Sequence, residues 1–152
     1  MDAAPESEPG PIVVDAPDAT EAAKSWQVID TLTVPCTQTP VMSVVALTTT
    51  GTYHLRGSSS CEANGLGLHS DVEYLYGVGS PDDGQSGVDN GIAIDDTSPS
   101  GTKTPATWGV YTDTHVYEVP FTGKNAQITA EYWDANYPNN SGSLMLEILE
   151  YK

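Results

Sequence analysis

The stretch Trp26-Gln27-Val28-Ile29-Asp30-Thr31-Leu32-Thr33-Val34 decides the fold. Trp26, Val28, Asp30, Leu32 and Val34 recur at a spacing of two, the period that places alternate side chains on one face of a β-strand. Runs of the same kind return at 41–47, 52–57 and 72–76, at Ile92 with Ile94 and Trp108 with Val110, and then at 115–121, 128–133 and 144–151. Turn residues separate them, and no stretch of helical period intervenes. Eight or nine short strands so spaced predict an all-β domain, an antiparallel β-sandwich over 25–152. Composition agrees: 14 Gly, 11 Pro and 8 Tyr beside only 5 Lys+Arg are poor material for long helices.

Outward from this core the chain changes character. Residues 1–24 carry six acids and four prolines, with Ile12, Val13 and Val14 the only sizeable apolar side chains between Met1 and Lys24. Such a segment buries too little surface to offset its ordering entropy, so a disordered acidic Pro/Ala-rich spacer is expected there. It reads equally as a stalk holding the domain off a cell surface or as a frayed terminus. A second interruption, 78–106, is long and polar and carries Asp82, Asp83, Asp89, Asp95 and Asp96. It lacks the Asp-x-Asp-x-Asp-Gly order of a helix-flanked calcium loop, and a solvated loop is expected instead of a second ion site.

Charge narrows the partners. With 152 residues and a formal net charge of −16, the chain repels phosphate backbones and anionic leaflets. Sequence-independent binding to nucleic acid and direct membrane insertion are thereby excluded; partners are neutral, cationic or metallic. No run approaches the roughly 20 apolar residues of a membrane span. The opening Met1-Asp2-Ala3-Ala4-Pro5 has neither the basic nor the apolar region of a signal peptide, so any targeting segment is expected to be missing from this chain. Cys36 and Cys61 are in no zinc-ligand spacing. They read as one disulfide, which implies an oxidising compartment, or as two buried thiols of a cytosolic protein.

Catalytic signals are weak. The serines stand in no Gly-x-Ser-x-Gly arrangement, and His54, His69 and His115 are scattered. His54 and His115 fall inside strand patterns and read as satisfied or surface histidines. The glycine-rich run Asn64-Gly65-Leu66-Gly67-Leu68-His69-Ser70 is not followed by a helix pattern, and so fails as a phosphate cradle. No carboxylate pair stands out. A non-enzymatic protein is expected.

The sharpest signal is Tyr132-Trp133-Asp134-Ala135-Asn136-Tyr137-Pro138-Asn139-Asn140-Ser141-Gly142-Ser143-Leu144. An apolar strand ends in a carboxylate, an oxygen-rich segment follows, and a second apolar strand begins. Calcium takes six to eight oxygens from carboxylates, amides and carbonyls, which this segment offers. Plain turn chemistry between two strands accounts for the same Asn-Asn-Ser-Gly. Asn139-Asn140-Ser141 is also a glycosylation sequon, relevant where a secretory pathway glycosylates Asn.

These residues resemble the LecA-type calcium-dependent bacterial galactose lectins and related secreted galactose-binding-domain-like β-sandwiches. The resemblance is carried by 128–134, Tyr137, Asn139-Asn140-Ser141-Gly142-Ser143 and the alternation to Ile148. Weaker matches are Tyr53-His54-Leu55 with Gly57 and Asp71-Val72-Glu73-Tyr74, and Trp108-Gly109 with His115-Val116-Tyr117 and Val119. The resemblance implies Ca2+ held by the side chains of Asp134, Asn139 and Asn140, the carbonyl of Asn136 and a carbonyl near Ser60 or Cys61. It further implies sugar hydroxyls bound through that ion, with Asp134 and Asn139 at their flanks and Tyr74, Trp133 or Tyr137 against the apolar face. The loop after Asp134 is two residues shorter than in those lectins, and Tyr74 stands where they have a sugar-contacting His. A secreted or cell-surface-tethered bacterial carbohydrate-binding module follows as the expectation; a structural or adhesive domain with an enclosed ion is the alternative.

Overall fold

Leu144, Leu146 and Ile148 recur at a spacing of two along the C-terminal strand, with Ser143, Met145 and Glu147 between and before them, and all three are buried. That strand is the spine of the larger sheet. The structure, a computed structural model, describes residues 22–78, 90–99, 103–134 and 137–152. Among them are ten strands: β1 (Trp26–Pro35), β2 (Val41–Met42), β3 (Tyr53–Ser58), β4 (Cys61–Glu62), β5 (Leu68–Ser70), β6 (Leu75–Gly77), β7 (Gly91–Ile94), β8 (Tyr117–Phe121), β9 (Thr129–Trp133) and β10 (Ser143–Tyr151). Three antiparallel sheets result, in the orders β1-β10-β3-β8, β2-β9-β7 and β4-β5-β6. The inner faces of the first two close one core, with Leu32, Leu55, Leu146 and Ile148 from the larger sheet against Ile92, Ala130 and Tyr132 from the smaller. The all-β antiparallel sandwich read from the period-2 runs is the architecture found. Among the described residues no helix is long and apolar enough to cross a membrane.

The expected single face of β1 is corrected. Between Val28 and Asp30 the register slips, Val28 facing Leu149 and Asp30 facing Ile148, so a bulge at Ile29 reverses the parity. Leu32 and Val34 enter the core, whereas Trp26 and Val28 lie on the outer face, 39% and 46% exposed. There Trp26 stacks on the His54 ring at 4.0 Å. Asp30 is not a face residue in the apolar sense; its Oδ2 accepts the backbone N–H of Val44 at 2.6 Å.

Other expectations are corrected too. Residues 108–110 form no strand, because the N–H groups of Trp108 and Gly109 donate to the Glu73 carboxylate, at 2.6 and 3.0 Å, instead of to a ladder. The run 41–47 is strand only at β2, with one further bridge from Leu47 to Ala126. The glycine-rich segment is a hairpin between β4 and β5, closed by Asn64 Oδ1 accepting the N–H of Leu66 at 2.8 Å and of Leu68 at 3.1 Å. Cys36 and Cys61 are joined in a disulfide, Cα atoms 6.4 Å apart.

The spacer read over 1–24 lies outside the described residues as far as residue 21, as do Asp82, Asp83 and Asp89. The remaining acids of that interruption serve the fold. Asp95 Oδ1 accepts the Thr129 N–H at 2.8 Å, and the Asp96 carboxylate accepts those of Ser98 at 2.8 Å and Thr104 at 2.6 Å. These bonds, the Ser98 hydrogen bonding first among them, lower the Asp96 pKa from 3.8 to about 2. Lys103 pairs with the buried Glu131 at 3.2 Å, fixing the segment to the outer face of β9.

Candidate functional site

β9 ends at Trp133 and β10 begins at Ser143, and the described part of the connection between them holds a 3-10 turn at Tyr137–Asn139. Tyr137 holds this connection closed. Its hydroxyl accepts the Asp134 N–H at 3.1 Å and donates to the Tyr132 carbonyl at 3.2 Å. Partial burial raises its pKa, so it remains a donor at neutral pH. Asp134 is 9% exposed, and its Oδ2 accepts the Asn140 amide N–H at 2.8 Å. One carboxylate and one carboxamide are thus brought together across the turn.

A third segment adjoins the Ser141–Gly142 end of the same turn. Ser141 exchanges two backbone hydrogen bonds with Glu62, both at 3.0 Å, and the Gly142 carbonyl accepts the Cys36 N–H at 3.1 Å. Gly142 has φ +96°, and a Cβ there would stand 3.5 Å from the Cys61 Cβ and 3.9 Å from the Ser60 carbonyl oxygen. The disulfide therefore ties the Ser60–Glu62 backbone to the Asn-Asn-Ser-Gly turn. Of the residues read as metal ligands, Asp134 and Asn140 are in contact and Cys61 adjoins the turn. Asn139 is exposed beside them, and Asn136 lies outside the described residues.

The residues read as sugar contacts are dispersed. Alternation along β9 directs Trp133 to the face opposite Asp134, where its Nε1 is buried without a hydrogen-bond partner. Tyr137 is the clamp just described. Tyr74 belongs to a separate aromatic cluster: its hydroxyl donates to the Gly109 carbonyl, and its ring meets Tyr111 edge-on at 5.6 Å.

That cluster surrounds Asp71, which is fully buried and was not singled out as a site by sequence. One of its oxygens accepts the N–H groups of Glu73 and Tyr74, at 2.9 and 2.7 Å. The other meets His115 Nδ1 at 2.9 Å and accepts the Tyr117 hydroxyl at 2.8 Å. Burial and the adjoining carboxylate push the Tyr117 pKa far up, which keeps that phenol a donor. His115 itself sits at φ +52° and stacks on Tyr76 at 3.9 Å. The arrangement fixes the 108–116 segment against the β5–β6 hairpin. Only the Asp71-x-Glu73 turn hints at it in sequence; the partners 44 and 46 residues away give no local signal.

Chemically, the side chains that meet at Asp134 are a carboxylate and a carboxamide, hard groups whose oxygens suit calcium and not a soft transition metal. Among the described residues no three His, Cys, Asp or Glu cluster as metal ligands. No protein-family model, curated protein or solved structure matches the chain.

Proposed function

We propose that the chain is a secreted, non-enzymatic calcium-binding module that takes up carbohydrate through hydroxyls presented to a cation at the Asp134–Asn140 turn. The observation that carries this reading is the contact of Asp134 with Asn140 across a turn whose Ser141–Gly142 end packs on the Ser60–Glu62 backbone and is braced by a disulfide. The disulfide also supports an oxidising, extracytoplasmic setting. The resemblance of 128–148 to LecA-type lectins adds the carbohydrate. A bound calcium ion would supply Lewis-acidic coordination positions for neutral hydroxyl oxygens. The chain's own part is positional: Tyr137 and the Glu62–Ser141 bridge hold the strand ends apart at fixed spacing, and Asn140 turns its amide to present oxygen where it now presents N–H.

Calorimetry tests the reading. Calcium should bind with about one-to-one stoichiometry, Asp134→Asn should abolish that binding, and members of a monosaccharide panel should bind only when calcium is present. Absence of calcium binding by the native chain would overturn it. The near-complete burial of Asp134 favours a second reading, in which the ion is enclosed and only stabilises the two strands. Calcium binding with no response to any sugar would select that reading.

A further inference from the structure

Asn90 precedes β7, is 1% exposed, and has a carboxamide oxygen with no hydrogen-bond partner. Leaving a buried amide oxygen unpaired costs about 1–3 kcal/mol, so its environment asks for an electropositive partner. Asn90 Nδ2 donates to the Tyr132 phenol oxygen at 3.4 Å, and this direction of donation leaves Oδ1 as the open end.

Register says which end of the sheet that is. Gly91 pairs with Trp133 and Ile92 with Tyr132, so Asn90 and Asp134 are the residues that flank the last pair at one end of β7 and β9. Two oxygens bound to one calcium at about 2.3–2.6 Å stand at most about 5 Å apart, and residues that flank the last pair of an antiparallel ladder are close neighbours on that scale. The position is also rigid. Gly91 has φ +121°, its missing Cβ would fall 1.9 Å from the Val72 carbonyl oxygen, and Ile92 N–H donates to that same oxygen at 3.0 Å.

We infer that Asn90 Oδ1 is a further oxygen donor of the calcium site, facing Asp134 from the neighbouring strand, an assignment that rests on the calcium reading above. Loss of even an outer-shell partner weakens metal sites by about 10–100-fold, and a direct donor should cost at least as much. Asn90→Leu should therefore lower calcium affinity at least about tenfold, leave the melting point of the calcium-free protein unchanged or higher, and add one water to bound Tb3+ in luminescence lifetimes compared between H2O and D2O. Asn90→Asp, nearly isosteric, guards against a folding defect: it should bind calcium more tightly than the native chain and melt lower without it, since two buried carboxylates then face each other. Affinities within twofold of native in both variants, with Asp134→Asn still abolishing binding, would overturn the assignment of Asn90 alone. A native chain that binds no calcium would overturn the site reading and this inference together.

Discussion

Buried charge at single positions in this molecule is compensated donor by donor, and the consequence is measurable. Asp71 has no exposure and takes four hydrogen bonds. Asp71→Ala would strand two backbone N–H groups, a phenol and an imidazole, and should cost about 3–5 kcal/mol in chemical denaturation. Tyr117→Phe removes one charged bond and should cost about 1.5–3 kcal/mol; equal losses from the two variants would count against the four-donor account. Asp96 gives a pH signature. Its folded pKa lies near 2, below the ordinary 3.8, so its contribution is complete above about pH 4 and vanishes as the pH falls through 2. Unfolding free energy should therefore decline across that window, and the decline should be smaller in Asp96→Asn.

At the scale of elements, β10 and the disulfide share the task of holding the candidate site. Leu146 is fully buried on the central strand of its sheet, and Leu146→Ala should cost about 2–5 kcal/mol. The Cys36–Cys61 bridge spans 25 residues, for which loop-closure entropy gives about 3 kcal/mol. Replacing both cysteines by Ala should lower stability by that order and also weaken calcium binding, because the Ser60–Glu62 backbone loses its anchor; unchanged affinity would detach the disulfide from the site. These elements differ in how legible they were. The runs 128–133 and 144–151 announced β9 and β10 because each strand has one apolar face over five or more residues, and period 2 is then visible. β4 and β5 hold two and three residues, too few to show a period, and are fixed by the Asn64 turn and by pairing. The bulge at Ile29 was invisible for another reason: Trp26 and Val28 are apolar but lie on the outer face, where Trp26 packs on His54 and Tyr151. At the site, the contiguous Asp134…Asn140 motif could be read directly. Asn90 and the Asp71 cluster could not, since their meaning lies in partners supplied by distant strands.

For the whole molecule, the excess of acids makes screening and specific binding compete as explanations of any ion effect, and they separate cleanly. At a net charge of −16 the folded chain repels itself. Raising NaCl from about 10 to 150 mM shortens the Debye length from about 30 to 8 Å and should raise the melting point gradually, without saturation at low concentration. Calcium binding only the folded state acts differently, adding RT ln(1 + [Ca]/Kd), about 4 kcal/mol at a thousandfold excess over Kd. For a chain of this length each kcal/mol moves the midpoint by roughly 2–4 °C, so a rise of about 8–16 °C is expected at calcium concentrations that barely alter ionic strength. EDTA should reverse it. Asp134→Asn should keep the NaCl response, because one charge among 21 acids hardly changes the field, and lose the calcium response, because the carboxylate at the turn is gone. If NaCl at matched ionic strength reproduced the calcium shift, or if Asp134→Asn retained it, the ion would be acting on the general charge of the surface and not at the turn between β9 and β10.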